Sequence, residues 1–239
     1  MYLENLVFDA AEPQLLGRFW EAAIGAETLT DEPDGFETRL TVAGGPVLDL
    51  CFQRVADLRV DTPRLGLALS GGDHQGDEAD RLLALGARRL DVGEDDVPWA
   101  ALADPEGTPF SVLHEDAAYA GTGPLALLSL DSADPNRDAE FWSWLTGWTV
   151  ATGDAPRSLR HPSRRGPVLE LRAEAAAKGT AKNRRHLDLR LEAGDDADAV
   201  AAGITARAGV ELHPQWGDLP WRVFTDPSGN EFCVLPARS

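Results

Sequence analysis

One block of this sequence occurs twice. Phe19-Trp20 returns as Phe141-Trp142, Pro13 as Pro135 and Trp99 as Trp221. Asp104-Pro105-x-Gly107-x-x-Phe110-x-Val112-Leu113 returns as Asp226-Pro227-x-Gly229-x-x-Phe232-x-Val234-Leu235, in each case 122 positions later. Between these landmarks Gly45-Pro46-Val47-Leu48-Asp49-Leu50 matches Gly166-Pro167-Val168-Leu169-Glu170-Leu171 at 121, so the flanking loops absorb a one-residue change in length. A period this long is a whole domain and not a solenoid module. The expected division is a first domain over 1–114, a linker over 115–121 in the Ala-, Gly- and Thr-containing segment from Glu115 to Pro124, and a second domain over 122–239.

Within each copy the hydrophobic period alternates between two residues and about 3.6, giving strand, helix and three strands, then the same again. In the second copy Leu125 to Leu130 reads as an apolar strand. Asp134-Pro135 opens a helix, a capping carboxylate followed by a first-turn proline. Phe141, Trp142 and Leu145 form its buried stripe, and Gly147 ends it. Pro167 to Arg172 and His186 to Leu191 alternate as half-buried strands, with the leucines facing the helices. Asp195 to Ala208 reads as a second helix ended by Gly209. Strands over Pro220 to Thr225 and Asn230 to Leu235 follow, joined by the Asp-Pro-Ser-Gly turn.

The formal charge of −18 repels phosphate backbones and anionic lipid, so nucleic-acid and membrane partners are not expected. No apolar run approaches the roughly 20 residues of a membrane span and the N-terminus carries no leader pattern, so a cytoplasmic location is expected. Lys178 and Lys182 are the only lysines beside abundant Arg, Ala, Asp and Gly, a bias of GC-rich, bacterial genomes. Cys51 and Cys233 fit neither a disulfide framework nor a zinc-finger spacing. No Gly-rich phosphate loop and no Gly-x-Ser-x-Gly elbow occurs.

These residues resemble the glyoxalase/bleomycin-resistance/extradiol-dioxygenase superfamily, also called vicinal oxygen chelate. The Asp-Pro-x-Gly turns, the Phe-Trp of the first helix of each copy, and Lys182-Asn183-Arg184-Arg185-His186-Leu187-Asp188-Leu189 carry the likeness. It implies an α+β fold of two tandem domains, each with two strand-helix-three-strand modules forming a curved eight-stranded mixed sheet, helices outside and ligand on the concave face. It further implies that metal-dependent members place ligands on the first, fourth, fifth and last strands. Those positions resemble Leu127, Glu170, His186 and Cys233 in the second copy, and Asn5, Asp49, Arg64 and Ser111 in the first.

Arg64 puts a fixed positive charge where an imidazole is wanted, so the first copy is not expected to hold a metal. The leading expectation is a metal-free protein that sequesters an apolar or aromatic small molecule in the second domain. Its contacts are Glu170, Arg172, His186, Asp188, Arg190, Trp216 and Cys233; strand alternation points 170, 172, 186, 188 and 190 into the cup. Trp144, Trp148 and Trp216, present in one copy only, are the candidates for ring stacking. The competing expectation is a lyase, isomerase or dioxygenase using one divalent metal on Glu170, His186 and Cys233. A third is an assembly protein whose clefts are filled by their own side chains. The two copies are expected to form an internal pseudo-dimer, and a homodimer of the chain is compatible with this.

Overall fold

The computed structural model of the chain describes residues 1–56, 63–91, 99–151, 157–214 and 219–238. Trp216 lies outside them. Four modules follow one another. The first is β1 (Tyr2–Ala10), α1 (Pro13–Ile24), β2 (Glu27–Glu32), β3 (Gly35–Thr41) and β4 (Val47–Arg54). The second is β5 (Leu65–Ser70), α2 (Gln75–Ala84), β6 (Arg88–Arg89), β7 (Trp99–Ala103) and β8 (Pro109–Leu113). The third comprises β9 (Leu125–Ser132), α3 (Pro135–Thr146), β10 (Thr149–Val150), β11 (Arg157–Arg160) and β12 (Val168–Ala173). The last comprises β13 (Arg185–Arg190), α4 (Ala197–Ala206), β14 (Val210–Leu212), β15 (Arg222–Thr225) and β16 (Glu231–Leu235).

The helix ends follow from their sequences. Asp134 caps α3 by accepting from the backbone N–H groups of Asn136 and Arg137, and Gly147 closes it in the left-handed region at φ 70°. At the end of α4 the left-handed residue is Ala208, at φ 67°, and not the expected Gly209. Gly209 is needed for space instead: a Cβ there would lie 2.5 Å from the Ile204 side chain and 3.0 Å from the Thr225 carbonyl. Gly17 has a similar duty, because a Cβ would enter the Phe36 ring and push α1 off β3.

The strands form two eight-stranded mixed sheets, in the orders β14-β15-β16-β13-β1-β4-β3-β2 and β10-β11-β12-β9-β5-β8-β7-β6. Each sheet therefore joins a module of the first repeat to a module of the second. The first sheet takes modules one and four, and the second takes modules two and three. The seams are antiparallel: β1 runs against β13 from Tyr2↔Arg190 to Phe8↔Arg185, and β5 against β9 from Leu65↔Leu130 to Leu69↔Leu125. Homologous modules present equivalent edges, so periodicity alone leaves the choice of partner open.

Contacts across the repeats accompany this choice. Arg185 is fully buried and donates to the Asp104 carboxylate at 3.2 Å and the Pro109 carbonyl at 3.3 Å, in the Asp-Pro-x-Gly turn of the other repeat. Arg64 reaches the opposite way, to Asn230 Oδ1 and the Glu174 carboxylate, both at 2.7 Å.

One apolar core serves both sheets. Phe19 and Trp20 of α1, from the first-sheet module, pack their rings 5.9 and 5.1 Å from Phe110 of the second sheet. Phe141 and Trp142 of α3 meet Phe232 of the first sheet at 5.9 and 5.4 Å. Leu169, Leu171, Leu187 and Leu189 point into this core as their alternation requires. The intervening residues are left for the opposite, concave faces. Burying large side chains of this kind contributes about 1.5–3 kcal/mol each, which makes the shared core the main bond between the repeats.

Candidate functional site

The four central strands of the first sheet carry one polar row across its concave face. Asp49 of β4 pairs with Asn5 of β1, Asn5 with Asp188 of β13, and Asp188 with Cys233 of β16. Side chains in one such row share a face. The Asn5 amide donates to Asp188 Oδ2 at 3.1 Å, and the Cys233 thiol donates to the same carboxyl group. His186, two residues before Asp188, lies on that face with Nε2 3.4 Å from Asp188 Oδ1. Ligating atoms of His186, Asp188 and Cys233 all lie within 4.8 Å of one another, and all three residues are buried.

Burial governs the electrostatics. It lowers the His186 pKa to about 3, with a smaller push from Lys182, so the imidazole is neutral. It raises Asp188 to about 7 against the opposing bonds from Asn5 and Cys233, and it pushes the Cys233 thiol well up. His186 Nδ1 and Asp188 Oδ1 are both buried without a hydrogen-bond partner. Such orphans are costly unless something else occupies them.

Around this centre the charges are paired. Arg39 holds Asp49 in a bidentate pair with both contacts at 2.7 Å, which withdraws Asp49 from any ligand role. A β-bulge between Leu3 and Asn5 accompanies the burial of Glu4. Burial raises the Glu4 pKa, but bonds from Arg190 and Arg238 outweigh it and leave the carboxyl below its ordinary value.

Glu170 and Arg172 are not part of this constellation. They lie on β12 of the second sheet, because β12 pairs with β9 while β13 pairs with β1. The expected grouping of Glu170 with His186 and Cys233 is therefore not brought together; Asp188 takes the third place and Asn5 stands where Leu127 was aligned. Arg172 pairs with Asp131 at 2.6 Å, and Arg190 is engaged by Glu4. Arg64 serves the cross-repeat contact described above. Trp144 stacks under the Arg207 guanidinium at 4.1 Å, and Trp148 is buried with its ring against His161, so both serve packing. Alternation along β13 was enough to place 186 and 188 on one face; their approach to Asn5 depended on the seam, which leaves no local trace.

The family model described as a glyoxalase-like domain matches twice, over residues 5–113 and 128–235. The chain belongs to the glyoxalase-like domain family. Among solved structures this glyoxalase-like chain is similar to glyoxalase I from Zea mays, with 17% identity, a TM-score of 0.66, and coverage of 98% of this chain and 92% of that one. It is also similar to a putative dioxygenase from Bacillus subtilis, with 13% identity, a TM-score of 0.62, and coverage of 100% and 86%. At these identities the likeness is one of fold. No curated protein matches the sequence. Among the described residues no helix is long and apolar enough to cross a membrane.

Proposed function

We propose that this glyoxalase-like protein acts on, or holds, a small oxygen-bearing molecule at the concave face of the first sheet, with His186, Asp188 and Cys233 holding one divalent cation. The observation that carries the reading is the convergence of ligating atoms of His186, Asp188 and Cys233 within 4.8 Å of one another, with Asp188 Oδ1 buried and lacking a hydrogen-bond partner. The donor set fits: imidazole, carboxylate and thiolate together suit zinc and its borderline neighbours, and three protein ligands leave a position open. Bound there, a cation supplies a Lewis acid that polarises a substrate oxygen. The chain's own residues do the rest. Asn5 fixes the rotation of the Asp188 carboxylate, and Arg39 keeps Asp49 from competing for the site. The apolar floor beside Cys233, made by Val223 and Leu235, excludes water.

A second reading, the metal-free binding protein, is favoured by one specific observation: Asn5 and Cys233 both donate to Asp188, so the cluster is partly closed on itself. Protein titrated with cobalt separates the two. One equivalent giving a thiolate-to-cobalt charge-transfer band, absent in Cys233→Ala, is the result expected. A titration with no saturable band leaves the metal-free reading standing.

A further inference from the structure

The concave face of the second sheet has another chemistry. The row through Leu127, the residue aligned with Asn5, reads Val168, Leu127, Ala68 and Ser111 across β12, β9, β5 and β8, with no metal ligand in it, while Glu170, aligned with Asp49, lies one row along and pairs with Ser129. Beyond the ends of β5 and β8, the segment joining the repeats bounds a cavity of about 1010 Å³ whose walls include Ser70, Leu113, Tyr119 and Thr122. Arg160 braces that segment by donating to the carbonyls of Ala118 and Ala120, both at 2.8 Å.

One ionisable side chain of this face stands out. Glu170 is half-buried and, among the described residues, its carboxylate forms no hydrogen bond or ion pair. The cation whose charge it feels is Arg172, which is already held by Asp131 through bonds of 2.9 and 2.6 Å. Burial raises the Glu170 pKa, as expected of a carboxylate lacking a counter-charge. Tyr119, on the cavity wall, is near enough for Glu170 to help raise its phenol, behind the larger effect of burial. The second cup thus offers a single unmatched anion, an aromatic ring and an aliphatic floor.

We propose that this second cup is a separate site for a small organic ammonium compound. Its cation pairs with Glu170, and its apolar body runs past Tyr119 and Leu127 toward the cavity. A carboxylate in a partly desolvated site gains most from a cation that brings its own hydrophobic surface, and the tyrosine face adds a cation–π contribution.

The probe is phenethylamine, with phenethyl alcohol as its uncharged counterpart, titrated calorimetrically at physiological salt. The amine is expected to bind saturably and at least tenfold more tightly than the alcohol. Glu170→Gln is expected to erase that difference while Asp188→Asn leaves it intact. Glu170→Gln keeps the rest of the acidic surface, so it separates a local pair from the general field of the chain. Amide shifts of the unmodified protein, expected at Tyr119, Leu127 and Glu170, locate the probe even where a variant folds poorly. Absence of saturable binding, equal affinity for amine and alcohol, or shifts confined to the first cup would overturn the proposal.

Discussion

On the first sheet the central row reads Asp49, Asn5, Asp188 and Cys233; on the second it reads Val168, Leu127, Ala68 and Ser111. The frames around these rows are built alike, each from a module of either repeat joined first strand to first strand, with the helices drawn into one core. Two like frames thus carry two unlike floors. The first gathers ligating atoms and pairs its outlying charges. The second is mostly aliphatic and keeps one carboxylate unmatched. Strand pairing groups the residues of this architecture by sheet rather than by repeat, so candidate residues must be grouped the same way.

The same asymmetry appears where the repeats hold each other, and there the largest mutational effect is expected. Arg185 and Asp104 are an almost fully buried pair, whereas Arg64 and Glu174 retain some exposure, 11% and 14%. Arg185→Ala leaves Asp104 without its guanidinium and is expected to cost about 3–5 kcal/mol in urea unfolding. Arg64→Ala is expected to cost roughly half as much, since water can reach the groups it leaves behind. Equal losses would mean that the two contacts support the fold alike.

A smaller effect is expected in the two Asp-Pro-x-Gly turns. Asp104 has Arg185 beside it, while Arg64 approaches the second turn through Asn230 and leaves Asp226 with neutral donors, Trp142 at 3.1 Å and Asn230 at 2.9 Å. Burial raises the Asp226 pKa from 3.8 to about 6, against those donors. The folded state therefore holds a proton that the unfolded state has released. The stability from this group is present below about pH 4 and is lost as the pH rises through about 6. Unfolding of the native protein and Asp226→Asn across that window should show the native protein losing ground to the variant as pH rises, with a flat difference above it. A difference independent of pH would show that the turn tolerates the charge.

Much of this was legible in the sequence. The repeat gave the number of modules, and the two periodicities gave their order. Alternation placed His186 and Asp188 on one face, with Leu187 and Leu189 on the other. What was not legible was which modules share a sheet: the likeness grouped Glu170 with His186, and the strand pairing places them on different sheets. A seam between modules is a tertiary choice, made through buried contacts such as Arg185 with Asp104, and neither residue announces its partner. The bulge beside Glu4 and the left-handed Ala208 likewise leave no mark in the hydrophobic pattern.

Metal content measured on two variants tests the cross-repeat grouping most directly. Asp188 and Glu170 are both strand carboxylates of the second repeat, and the two ways of assembling the cup assign the ligand role to different ones. After purification without chelator and dialysis against zinc, the native protein and Glu170→Gln should each retain close to one zinc per chain, and Asp188→Asn should retain almost none. Loss of zinc in Glu170→Gln with retention in Asp188→Asn would contradict the account and return the site to a single repeat.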